Sequence, residues 1–75
     1  MSGHITTVQA AHEFYDGREM SNKAIKLLKE DIARLVHFKK AAVANKRHSH
    51  ADRYSKTIAV LQTYLDQATK EDNDR

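Results

Sequence analysis

The chain has 75 residues, no cysteine, no proline, two glycines, 31% charged residues and a formal charge of +3. That length admits one domain, and the missing cysteines exclude a disulfide framework. A chain this short buries only about 60% of the surface it exposes when unfolded, so a partner chain is the simplest supplement to a small core.

The first fifteen residues lack a basic start followed by an apolar run, so they do not read as a signal peptide. No stretch approaches the ~20 apolar residues of a membrane span, and a cytoplasmic location is the expectation. Residues 1–6 read as a flexible start. Thr6-x-x-Gln9 has the form of a capping box. Val8, Ala11, His12 and Tyr15 then follow helical spacing, predicting a short helix over 7–15, or an arm that orders on binding.

Asp16-Gly-Arg-Glu19 reads as a second capping box, and no glycine or proline follows Gly17. A long helix is therefore expected over 17–44. Its apolar stripe is Ile25, Leu28, Ile32 and Leu35, three and four residues apart and so on one helix face. Asn45-Lys-Arg-His-Ser-His50 lacks large apolar residues, and residues 45–49 are expected to form a basic link, with Asn45 in the left-handed conformation that closes a helix. The second stripe, Tyr54, Ile58, Leu61, Leu65 and Ala68, predicts a helix over 50–70, capped by Ser49 or Asp52. Residues 71–75 are polar and expected to fray.

Charge is unevenly placed. Residues 1–35 are balanced, residues 36–65 carry +5 and residues 66–75 carry −2. The positive field thus sits at the link, on Lys39, Lys40, Lys46, Arg47, Arg53 and Lys56, with His48 and His50 beside them.

Four constellations are candidates for function. The stripes themselves are accounted for as core. Leu27, Phe38, Val60 and Tyr64 flank them, with Phe14 and Tyr15 near the start. These six widen the apolar surface beyond what one facing helix covers, which makes them candidate partner-binding residues unless the leading helix covers them. The basic tip could contact phosphates by displacing condensed counterions, or steer an acidic protein. His48-x-His50 offers two imidazoles on a link, short of the three or four rigid ligands of a zinc site, so no metal and no cofactor is expected. Ser49 between two histidines has no oxyanion donors or concave pocket to act in. Glu30-Asp31, flanked by Lys29 and Arg34, reads as salt-bridge decoration on a helix surface. No enzyme activity is expected.

The plan of short lead, long helix, polar turn, second helix and charged tail resembles the small helical-hairpin chaperones of type III secretion needle subunits. It also resembles phage-encoded inhibitors that bind a host transcription factor or motor ATPase. Tyr15-Asp-Gly17 and Leu65-Asp66 echo positions in flagellin export chaperones, with a longer spacing between them. These are resemblances of architecture, and no family residue is carried over.

The reading is an all-α fold: an antiparallel helical hairpin with a short N-terminal helix, pairing as a homodimer into a four-helix arrangement. The expected function is a non-enzymatic adaptor, chaperone or inhibitor that binds a larger protein, with no membrane partner. The alternative is a small nucleic-acid-binding protein that uses the basic tip.

Overall fold

A computed structural model describes residues 5–17, 19 and 21–73, with side chains through Lys70. The described residues form three helices and no strand: α1 (Val8–Tyr15), α2 (Asn22–Ala44) and α3 (His48–Asn73). The all-α expectation is met. Residues 1–4, 18, 20 and 74–75, which include parts of the expected flexible start, second capping box and frayed tail, lie outside the described residues.

Each boundary has a local cause. Thr7, one residue after the expected cap, closes the start of α1: its Oγ1 accepts from the Ala10 amide at 3.1 Å. Gln9 does not reach back, and its side chain instead donates forward to Glu13 Oε2 at 3.1 Å. Asp16 ends α1 rather than beginning the next helix, its amide donating to the His12 carbonyl at 2.8 Å. Gly17 follows with φ +75, a left-handed turn incompatible with a helix running through it. The long helix therefore starts at Asn22, not at residue 17. Ser21 caps it, accepting from the Ala24 amide at 3.3 Å.

The link is shorter than expected. Asn45 keeps φ −95, while Lys46 takes the left-handed conformation at φ 58. The Arg47 amide donates to the Ala42 carbonyl at 2.8 Å and the Lys46 amide to Val43 at 3.0 Å, the paired bonds of a Schellman closure. Asn45 supports the closure through its side chain, whose Nδ2 donates to the Ala41 carbonyl at 2.8 Å. The Arg47 carbonyl then accepts from Ala51 at 3.0 Å, so α3 starts at His48. Ser49 and Asp52 thus lie inside the helix, Ser49 in its first turn and Asp52 just beyond it. At the other end α3 continues through Asn73, three residues past the expected stop.

α2 and α3 lie side by side and run in opposite directions: Phe38 meets Tyr54 (ring centroids 5.9 Å apart), and Val36 and Ile58 border one hollow. α1 runs parallel to α3. Thr6, just before α1, offers its carbonyl to Thr57 Oγ1 at 3.2 Å, and seven residues along α3 the Tyr64 hydroxyl lies 2.8 Å from His12 Nδ1. Thr57 is fully buried, and its hydroxyl is shared with the Arg53 carbonyl at 2.9 Å. The molecule measures 44 × 26 × 16 Å.

The core takes in the predicted stripes but is deepest on one side of them. On α2 the deeply buried positions are Ala24, Leu28, Asp31, Leu35 and Ala42, and on α3 they are Ala51, Thr57, Leu61 and Ala68. Leu28, Leu35, Leu61 and Ala68 belong to both descriptions. Ile25, Ile32, Ile58 and Leu65 are only half-buried, and the first three each lie about 100° round the helix from the buried residue before them. Small alanines at 24, 42, 51 and 68 let the helices approach, and larger side chains fill the middle. Ile5, Ala11 and Tyr15 complete the core from the α1 side.

Asp31 is the departure with most consequence. Its place in the seam makes it a buried carboxylate, not the surface decoration expected from sequence. The Tyr15 hydroxyl donates to its Oδ2 at 2.8 Å, and Arg34 Nη1 donates to its Oδ1 at 3.1 Å. Tyr15 is 1% exposed and Asp31 8%.

Tyr15→Phe removes one donor from this buried acceptor and is expected to cost about 1–3 kcal/mol in urea or thermal unfolding. Pairing it with Asp31→Leu should recover much of that loss, because both polar partners then leave together. Lys46→Gly relieves a left-handed β-carbon and is expected to stabilise the fold by up to about 1 kcal/mol in the same measurement.

Candidate partner-binding face

Seven residues return a helix to within about 20° of the same direction, so each face can be followed along the chain. On α3, Thr57 and Tyr64 share the side that α1 occupies, with Val60 between them. On α2 that side carries Asp31, which Tyr15 reaches. Ile58 and Leu65 lie about 100° away on α3. Lys29, Val36, Lys40 and Val43 form a row on α2 that lies, with Ile58, on the opposite flank.

This arrangement relocates the predicted partner-binding residues. Tyr15 is 1% exposed and packs on Phe14 and Tyr64, with centroids at 4.8 and 5.9 Å. Tyr64 is half-buried, with its hydroxyl on His12 and its ring edge-on to that imidazole at 5.9 Å. Phe38 and Val60 are half-buried against the core. Leu27 is half-buried on the α1 flank of α2. Phe14 keeps 38% of its surface exposed at the rim. Tyr15 and Tyr64 are therefore taken up by the α1–α3 contact within the chain, while Phe14 keeps exposed surface at the rim and Phe38 lines a hollow beside the turn.

The open apolar surface lies on the other flank, among residues assigned to the core from sequence. Val43 is 51% exposed, the largest value among the exposed large apolar residues described. With Val36, Ala44 and Ile58 it lines an open hollow of about 440 Å³ whose remaining walls are Lys39 and Lys40. Ile25, Ile32 and Leu65 extend the half-buried apolar strip away from the link. Sequence reasoning missed this face because Val36 and Val43 were given no role. Their seven-residue spacing, in step with Lys29 and Lys40, was the available signal.

The basic tip does not form one surface. Lys39 and Lys40 belong to the hollow, and Lys46 and Arg47 sit in the turn. Arg53 and Lys56 share a row with Val60 on the α1 side of α3. All six are exposed. Lys56 pairs with Asp52 at 3.1 Å, both well solvated, an arrangement worth at most about 1 kcal/mol. A second, shallower hollow of about 220 Å³ lies beside the turn, with Phe38 and Tyr54 among its walls and Asn45, Arg47 and His50 at its edge. His48, Ser49 and His50 are exposed on the first turn of α3. Among the described residues, no group of three or more His, Cys, Asp or Glu side chains lies together, and no helix is long and apolar enough to cross a membrane.

Comparison with protein-family models, curated proteins and solved structures found no match to this chain.

The two flanks respond differently to substitution. Tyr64→Ala is expected to lower stability by about 2 kcal/mol or more, since it empties the α1–α3 contact. Val43→Glu should change it by no more than about 0.5 kcal/mol. Thermal melts of the two variants beside the parent chain check this contrast.

Proposed function

We propose that the chain is a small non-enzymatic helical interaction module, an adaptor, chaperone or inhibitor, that binds a larger protein through the α2–α3 flank opposite α1. One observation carries the reading. The short helix closes one side of the helical hairpin, while the other keeps a hollow walled by Val36, Val43, Ala44 and Ile58 open to solvent. An apolar hollow set in a longer half-exposed strip is the form taken by grooves that receive a helix from another protein.

Pairing of two copies into a four-helix arrangement would cover the same strip. The charged residues along the α2 edge of this flank are Lys29, Lys39 and Lys40, so self-pairing along α2 brings like charges together. That favours a different chain as the occupant. Nucleic-acid binding has its own supporting observation, the shallow hollow in which Phe38 and Tyr54 lie beside Arg47 and His50. Its walls could receive a base while the cations of the turn meet phosphate.

Parallel affinity purification from the source cell, using the parent chain, Val43→Glu and Lys46→Glu/Arg47→Glu, separates these readings. A protein retained by the parent and the turn variant but lost with Val43→Glu supports the module. Nucleic acid retained by the parent, lost with the turn variant and released steeply by salt supports the alternative. Light scattering after size exclusion reports pairing: twice the monomer mass at micromolar concentration, reduced to one mass by Val43→Glu, would assign the flank to a second copy.

A further inference from the structure

We infer that the occupant of the open flank is an acidic amphipathic helix of a different protein, laid along α2 with aliphatic side chains in the hollow and carboxylates on its lysines. The inference rests on the interaction-module reading and adds the chemistry of the partner. The walls of the hollow are the first argument. Val36, Val43, Ala44 and Ile58 supply aliphatic surface, and the polar groups among the lining residues are the ammonium ends of Lys39 and Lys40. A nucleobase would find no aromatic plane there and no side-chain acceptor, whereas a leucine or isoleucine meets the aliphatic surface of Val36, Val43, Ala44 and Ile58.

Charge is the second argument. Lys29, Lys39 and Lys40 are exposed, and the ion pairs among the described residues are Arg34–Asp31 and Lys56–Asp52, neither of which involves them. Lys29 and Lys40 point in nearly the same direction and are separated by eleven residues, about 16 Å along the axis. Three positive charges around an apolar strip attract and orient an anionic partner while repelling a basic one. A complementary helix of about four to five turns places two or three aliphatic residues at i, i+3/i+4 and i+7 into the strip. Its Asp or Glu residues, about eleven positions apart, meet the lysines at each end.

The test is a selection from a displayed library of 18-residue helices against the intact chain, with aliphatic and charged positions varied independently. Chosen peptides are then measured by fluorescence anisotropy against the parent, Val43→Glu and Lys39→Glu/Lys40→Glu. The substituted positions are exposed, and circular dichroism confirms that each variant keeps its helices. The expected result is enrichment of net acidic peptides with carboxylates flanking an aliphatic stripe. Their affinity should fall at least about tenfold on reversing the two lysines, fall further with Val43→Glu, and weaken with salt.

Neutral or basic peptides that compete with Val43→Glu but ignore the lysine reversal would overturn the partner's charge and leave the module reading standing. No enrichment, or binding indifferent to Val43→Glu, would overturn both. Displacement of the selected peptides by a labelled 20-base-pair DNA duplex at lower concentration than unlabelled peptide would give the flank to nucleic acid. A doubled mass that Val43→Glu abolishes would give it to a second copy.

Discussion

A carboxylate can leave water only where donors replace the solvent it gives up, and at Asp31 the buried donor comes from another helix. The Tyr15 hydroxyl, 2.8 Å away, carries much of this duty, with Arg34 donating to the other oxygen from the half-exposed side. The placement of α1 follows from that requirement. Tyr15 must end α1 within reach of α2, and the parallel course beside α3 then brings His12 to Tyr64 and Thr6 to Thr57. Apolar contact alone would let an eight-residue helix slide along the helix pair. Three polar contacts at fixed positions set its register.

Fixing α1 on one flank decides what the other flank can do. Two helices leave two apolar margins beside their seam, and one short helix covers only one of them. The covered margin holds Tyr15 and Tyr64, whose size and hydroxyl groups suit a permanent contact. The open margin holds Ile25, Ile32, Val36, Val43, Ile58 and Leu65, aliphatic residues that can remain half in water without an orphaned polar atom. Lysines along that margin keep their ammonium groups hydrated while their stems shield part of the strip.

The helical character, the number of helices and much of the central seam were legible in the sequence, because apolar spacing carries them and Leu28, Leu35 and Leu61 fall where the period puts them. The boundaries were less legible where two capping signals compete. Asp16 and Ser21 both have the chemistry of an N-cap, and the Asp16 amide on His12 with the positive φ of Gly17 shows that Asp16 ends a helix. The link concealed its left-handed residue in Lys46, since Asn45 has the stronger propensity for that role but hydrogen-bonds to Ala41 instead. The open apolar margin was not singled out for a related reason. Helix period gives the directions of side chains about one axis, but not which direction a third helix will occupy. Asp31 held the clue in its position between Leu28 and Leu35. A carboxylate in a seam calls for a donor, and Tyr15 was available upstream.

The contacts that seat α1 join residues 51 and 52 positions apart in the chain, whereas the turn at Asn45–Arg47 brings α2 and α3 together through near neighbours. Closing a long loop costs more chain entropy than closing a short one, and local contacts form sooner. The order of assembly follows: α2 and α3 zip outward from the link, and α1 settles onto a helix pair already in place. On the reverse path α1 is the first element to lift. Its amides then exchange with solvent through a local opening that leaves the Leu28–Leu35–Leu61 centre intact.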